Sequence, residues 1–324
     1  MAPLRIGFVV DPLPKLLPDK DTTFVFMLEA QRRGHTVLAI DHRELFTDGN
    51  DVRAITRRAE VRRPSKPGEP HYTLGETAIT ALATLDAVLM RTDPPVDEDY
   101  LYATHLLSLV EARGVFVMNR PAALRDANEK LYALNFPDCI PRTLVARQVT
   151  QLKAFLAEVG GEMIVKPPHG WGGLSVFNVH ARDRNLNAIL EMVTEDGRRL
   201  VMAQQYVAAV RETGDERVIL LDGKPLGAMA RIPRDDEHRS NIHVGGSVKK
   251  VVLGPRERRI CDRVGPRLKQ DGLWFVGIDI IGDYLTEVNV TSPTGVQEVD
   301  RLDGVKLESD VLDFVERKVA ELKR

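Results

Sequence analysis

Apolar residues gather in the run Arg5 to Val10 (RIGFVV), which stops at Asp11, and then recur as Phe24, Met27 and Leu28 ahead of Gly34. A short unbroken apolar run suits a buried strand, while recurrence every three to four residues suits a helix with one covered face. A second apolar run occupies His35 to Asp41. Strand, helix and strand within about forty residues make a βαβ unit, which requires parallel pairing, so the pattern predicts a parallel sheet near the amino terminus. Residues 86–91 (DAVLMR), a helical pattern over 98–113 and Val115 to Met118 repeat that rhythm. Asn50 to Pro70 is rich in arginine and proline, and the pattern predicts an exposed excursion there.

After Pro121 the stretch AALRDANEKLYALNF predicts a helix running to Pro137. The character then changes to strand (TLVAR), helix (QLKAFLAEVGG) and strand (EMIVKPP), with the loop HGWGG and the strand LSVFNVH directly behind. Two strands joined by a glycine-rich loop form a hairpin, so a separate α+β unit is expected in the middle of the chain. From about residue 206 the pattern predicts a hairpin turning at Asp222-Gly223, the pair Gly245-Gly246, a helix, a second hairpin in GIDIIGDYLTEVNV and a terminal helix.

The chain has 324 residues, 43% hydrophobic and 28% charged, the balance of a globular protein with two domains or three small ones. Its 45 basic and 47 acidic residues create no overall field favouring nucleic acid. Cys139 and Cys261 lack metal-ligand or CxxC spacing and read as buried small residues of a reducing compartment. The start, MAPLRIGFVVDP, is too short an apolar run for a secretory core or a membrane span, so a cytoplasmic protein with no membrane partner is expected.

Three groups of residues could carry chemistry. In KPPHGWGG, Lys166 to Gly173, three glycines within four residues let backbone N–H groups approach an anion, and Lys166 can place a charge on a phosphate. The Walker spacing is absent. In the second hairpin Glu287 and Asn289 stand two apart in a strand and share a face. Asp279 joins them only if it lies opposite Glu287, which needs a three-residue turn or a bulge. A plain two-residue Gly-Asp turn sends it to the other face. Two carboxylates and an amide oxygen suit a hard cation such as Mg²⁺ sharing its remaining positions with phosphates, whereas a wet edge strand is the bland alternative. The third group is Arg91 (MRTDPP), Arg231 (ARIP) and Arg239 (HRSN), able to pair with an acidic small substrate or simply with surface carboxylates.

Together these stretches resemble the prokaryotic glutathione synthetases of the ATP-grasp superfamily. The likeness runs along nearly the whole chain through MLEAQRRG, MRTDPP, ATHLL, RDANEKL, KPPHGWGG, MAQQY, the ARIP to HVGG segment and IDIIGDYLTEVNVTSPTG. The resemblance implies an ATP-grasp fold of mixed α/β and α+β class. Its parts would be an amino-terminal parallel-sheet domain (1–122), a central lid (123–205) and a carboxy-terminal catalytic unit (206–324), with ATP between the last two. It implies that ATP phosphorylates γ-glutamylcysteine and that glycine displaces the phosphate, giving glutathione, ADP and phosphate.

Carried over residue by residue, Lys130 and Lys166 would meet the ATP phosphates, the backbone of Gln204, Gln205, Tyr206 and Val207 the adenine, and Asp215 would belong to the same ATP site. Asp279, Glu287 and Asn289 would hold Mg²⁺, with Mn²⁺ as a substitute. Arg91, Arg231 and Arg239, with Ser292 and Thr294, would face the peptide and glycine carboxylates, Arg231 and Arg239 acting in catalysis. Gly172 and Gly173 would form the lid tip, and Gly245 and Gly246 a loop over the reacting carboxyl. A homotetramer is expected on the same ground. The chain departs from the family pattern at His169, where an Asp is usual, at Ser240, where a Gly is usual, and at Ile242-His243-Val244, where smaller residues are usual. Those departures bear on the acid and amine accepted.

Overall fold

Three β-sheets, each drawn from a different stretch of the chain, set the architecture among the residues that the computed structural model describes, which are 2–66, 68–170, 175–232 and 247–324. The first is entered by β1 (Arg5–Val9), α1 (Thr22–Arg32) and β2 (Thr36–Ile40). β1 pairs in parallel with β2, as the βαβ reading requires. Asp21 starts α1 by accepting from Phe24 N at 3.0 Å, which satisfies one of the unpaired amides of the first turn. Next come β3 (Leu45–Asp48), β4 (Asp51–Val61), β5 (Tyr72–Ala81), β6 (Ala87–Met90), α2 (Glu98–Glu111), β7 (Phe116–Met118) and α3 (Pro121–Asp126). The strand order is β3-β4-β2-β1-β6-β7, with β5 on β4.

The expected excursion over 50–70 is therefore corrected: most of it is β4, an eleven-residue strand. Val52, Ala54 and Thr56 are buried on one face, then Ala59 and Val61 on the other, where they join a different core cluster. Arginines at 53 and 57 fill the intervening positions and pair with Asp51 and Glu44, so charge masked the alternation.

The second sheet holds β8 (Thr143–Ala146), β9 (Glu162–Lys166), β10 (Phe177–His180) and β11 (Val201–Gln205), in the order β10-β9-β11-β8, covered by α4 (Val149–Glu158) and α5 (Leu186–Thr194). It has a core of its own, in which Leu152, Met163, Val165, Val179, Leu190 and Val201 are fully buried. The helix expected to reach Pro137 breaks instead: α3 ends at Asp126 and a single 3-10 stretch follows at Leu131–Asn135. Asn128 is the cause, since its Oδ1 accepts from Lys130 N at 3.1 Å and Leu131 N at 3.0 Å in place of the helical ladder.

The third sheet follows a short α6 (Val210–Thr213). It comprises β12 (Asp215–Leu221), β13 (Lys224–Ile232), β14 (Ser247–Lys250), β15 (Phe275–Ile281) and β16 (Tyr284–Asn289), in the order β14-β13-β12-β15-β16. The helices α7 (Pro255–Asp271), α8 (Val296–Asp303) and α9 (Leu307–Leu322) accompany it. Asp222 and Gly223 both take positive φ, 52° and 76°, as the central pair of a tight hairpin turn. Asn119, just past β7, ties the first sheet to the third: its amide donates to Phe275 O and Val290 O at 2.8 Å each, while its oxygen accepts from Phe275 N.

Candidate active site

The β15–β16 hairpin answers the question of which face Asp279 takes. Ile281 pairs with Tyr284 across a two-residue Gly282-Asp283 turn, yet Asp279 pairs with Glu287 and Gly277 with Asn289. Both alternatives open in the sequence occur at once, because a bulge between Asp279 and Ile280 shifts the register by one residue. Thr286 is the extra residue; its buried hydroxyl donates to Asp279 O at 3.1 Å. Asp279, Glu287 and Asn289 consequently share a face, and Asn289 Nδ2 donates to Asp279 Oδ2 at 3.1 Å.

Two lysines approach that face from outside the hairpin. Lys166, the last residue of β9, places Nζ 3.2 Å from Glu287 Oε1, and Lys130 places its own 3.8 Å from the same oxygen. Lys130 Nζ also donates to Gly170 O at 2.6 Å. Both lysines are buried, 5% exposed each, so their charges act through little water. Burial works against the charged form of Glu287, but Lys130 and Lys166 outweigh it and hold the carboxyl below its ordinary range.

Asp279 is gripped by arginines. Arg217 donates from Nε to Oδ1 at 2.5 Å and from Nη2 to Oδ2 at 3.0 Å, and Arg231 Nη2 lies 2.9 Å from Oδ2. Despite burial these charges hold Asp279 well below the usual carboxylate range. Arg231 also pairs with Asp215, directly across the β12–β13 ladder. Burial dominates at Asp215 and pushes it up to about 6. Arg217 escaped the sequence reading. The signal for it was Gly277, where a Cβ would stand 3.0 Å from the Arg217 side chain: the glycine two residues before Asp279 makes room for the guanidinium.

The other expected residues spread around this cluster. Arg91 is buried, stacked 5.7 Å from the Phe26 ring and 5.4 Å from Phe275, and donates to Thr23 Oγ1 at 3.1 Å and Pro293 O at 3.0 Å. It reaches the Ser292–Thr294 turn through backbone rather than through either hydroxyl. Thr294 is exposed and its carbonyl accepts from Arg217 Nη1 at 3.3 Å. Gln204 spends its amide on Thr143 Oγ1 at 3.1 Å, Gln205 N donates to Arg142 O at 2.9 Å, and Tyr206 OH accepts from Arg211 Nε at 2.8 Å. Val207 lies next to the hairpin turn: a Cβ on Gly282 would stand 3.4 Å from Val207 Cγ1. The segment 204–207 thus leaves the second sheet beside the β15–β16 hairpin of the third. His169 is exposed. Gly172, Gly173, Arg239, Ser240, Ile242, His243, Val244, Gly245 and Gly246 lie outside the described residues.

The donor set fits a hard divalent cation in one respect that the structure itself supplies: three oxygen-bearing side chains converge on one face opposite two buried ammonium groups that suit phosphate. Among the described residues no group of three or more His, Cys, Asp and Glu side chains is placed to hold a metal by itself. Two carboxylates and an amide leave the balance of an octahedral shell to water and phosphate, which is the way Mg²⁺ is usually held.

Two family models match the chain: the N-terminal domain of prokaryotic glutathione synthetase over residues 4–125, and its ATP-grasp domain over 129–304. A glutathione synthetase of Gloeobacter violaceus is 46% identical over 318 residues, spanning 96% of each chain. That of Coxiella burnetii is 42% identical over 318 residues and 98% of each. Among solved structures, the D-cycloserine synthetase DcsG superposes with a TM-score of 0.67 at 16% identity, over 97% of this chain and 99% of that one. The ATP-grasp ligase PsnB, solved with a minimal precursor, Mg and ADP, superposes at 0.61 and 18%, over 97% and 98%. At those identities the structural likeness concerns the fold, which is ATP-grasp.

Proposed function

The chain belongs to the prokaryotic glutathione synthetase family, and from that premise we propose that it joins γ-glutamylcysteine to glycine with ATP, releasing ADP and phosphate. The observation that carries this reading is the convergence of Lys130 and Lys166 on Glu287, with Asp279 and Asn289 on the same face. In the first step a cysteinyl carboxylate oxygen attacks the γ-phosphorus and the bond to ADP breaks, giving an acyl phosphate. In the second the glycine amine attacks the acyl carbon, loses a proton, and phosphate leaves.

Neither step needs a nucleophilic side chain; both need charge compensated and reactants held in place. Lys130 and Lys166 would meet the transferring phosphates as point charges. Asp279, Glu287 and Asn289 would hold Mg²⁺, or Mn²⁺ in its stead, which when bound neutralises charge on the phosphate oxygens. The backbone of Gln204–Val207 would take the adenine, with Asp215 in the same ATP site. Arg91, Arg231 and Arg239, with Ser292 and Thr294, would orient the substrate carboxylates. Gly172, Gly173, Gly245 and Gly246 would close over the acyl phosphate and shield it from water. We assign the amino-terminal domain to 1–122, the lid to 123–205 and the catalytic unit to 206–324, in a cytoplasmic homotetramer. Among the described residues no helix is long and apolar enough to cross a membrane.

The test is ADP formation from Mg-ATP with a panel of acids and amines, with the product weighed by mass spectrometry. The expected result is turnover that needs γ-glutamylcysteine and glycine together. Turnover with another pair and none with this one would transfer the site to a related carboxylate-amine ligase, the reading that His169 and the residues around Ser240 favour.

A further inference from the structure

β16 carries Glu287 and Asn289 at the outer edge of its sheet, bonded to β15 on one side only. Among the described residues no strand covers its other edge; the segment after α3 does. Val288 N donates to Glu129 O and Leu285 N to Cys139 O, each at 2.8 Å. The Glu129 side chain extends this contact past the end of the strand. Its Oε1 accepts from Val290 N at 3.0 Å, Thr291 N at 3.1 Å and Thr291 Oγ1 at 2.8 Å. Those two consecutive amides follow the last paired residue of β16, where a carboxylate satisfies them with charge-assisted bonds.

The residues on either side of Glu129 reach the opposite way. Asn128 Nδ2 donates to Pro168 O at 3.2 Å and Lys130 Nζ to Gly170 O, both acceptors lying just beyond Lys166. Three successive residues therefore join the loop after β9 to the strand that carries Glu287 and Asn289. The Glu129 carboxylate bonds the backbone and Thr291 rather than any charged group of the cluster, so its effect on chemistry must pass through position.

We propose that Glu129 is a positioning residue that fixes β16 against Lys130 and so sets the spacing between the phosphate-facing lysines and the cation-holding pair. The proposal rests on the ligase reading and extends it to a residue outside the binding set. A carboxylate that orients a metal site from its second layer typically costs 10–100-fold in affinity or activity when lost.

The experiment measures Mn²⁺·ADP affinity by electron paramagnetic resonance, with kcat, KM for ATP and the thermal midpoint, in wild type, Glu129→Ala, Glu129→Gln and Glu287→Ala. Glu129→Ala should weaken Mn²⁺·ADP binding about 10–100-fold and raise KM for ATP, and Glu129→Gln, which keeps an acceptor oxygen in place, should recover most of the loss. Folded Glu129→Ala with wild-type Mn²⁺·ADP affinity, while Glu287→Ala loses it, overturns the proposal and leaves the ligase reading standing. Unchanged affinity in both variants overturns both. If Glu129→Ala does not fold, Thr291→Val, which removes one of the three bonds, carries the test: weaker Mn²⁺·ADP binding supports the joint and unchanged binding overturns it.

Discussion

Glu287 stands between two buried lysines, and replacing it with alanine removes the charge that both of them face. On the proposed reading Glu287 is a cation ligand, and losing it should cost at least as much as the roughly 10–100-fold seen for outer partners of metal sites, so Glu287→Ala is expected to lower kcat by about 100-fold or more with an unchanged circular dichroism spectrum. Arg217 makes a different prediction. It is one of two arginines on a buried carboxylate, and removing one partner of a buried pair costs roughly 3–5 kcal/mol when nothing replaces it. Arg231 remains on Asp279, so Arg217→Met should fall toward the low end of that range, measured as a lowered urea midpoint. Lys166, Glu287 and Asn289 were legible in the sequence because their spacing and neighbours had a chemical logic; Asp279 was legible only as one of two open registers, and Lys130 and Asp215 only through the family resemblance. Arg217 was not, since in ERVILL it looks like one charge interrupting a strand, and only the pairing of β12 with β15 sets it opposite Asp279.

Elements were legible where their period was clean and hidden where charge or local side-chain bonding intervened. The βαβ start and the two carboxy-terminal hairpins follow the apolar pattern. β4 did not, because arginines took its alternate positions, and the helix after Pro121 was read too long because Asn128 bonds its own neighbours. The bulge at Thr286 lay beyond pattern reasoning: the sequence allowed a turn or a bulge, and the fold uses a two-residue turn together with the bulge. Packing between elements gives a further prediction. In α7, a Cβ on Gly265 would stand 2.0 Å from Gly223 O at the β12–β13 turn, which has no room to give. Gly265→Ala should therefore force helix and hairpin apart and cost about 1–3 kcal/mol, as overpacked cores do, seen as a lower urea midpoint.

At the scale of the whole molecule, the first and third sheets share core clusters while the second keeps its own, so the β15–β16 hairpin is anchored to the amino-terminal sheet and Lys166, at the end of β9, reaches it from a separately packed unit. A junction near the carboxy terminus is expected to respond to pH. Asp300 accepts from Leu307 N at 2.8 Å, and burial, with Glu308 beside it, pushes its carboxyl up to about 7 from an ordinary 3.8. A folded-state value above the unfolded one means that the folded chain holds this proton more tightly. The contribution is complete below the unfolded value and is lost as pH rises through about 7. The thermal midpoint should fall between pH 6 and pH 8 by roughly 2 °C or more, and Asp300→Asn should flatten that slope.

The acyl phosphate is the step on which the chemistry turns, and isotope transfer reads it directly. With γ-glutamylcysteine labelled by ¹⁸O in its cysteinyl carboxyl, and with ATP, Mg²⁺ and glycine, the phosphate released should carry one ¹⁸O per turnover, because a carboxylate oxygen leaves with phosphorus when glycine attacks. Phosphate free of label, formed while glutathione accumulates, would contradict it.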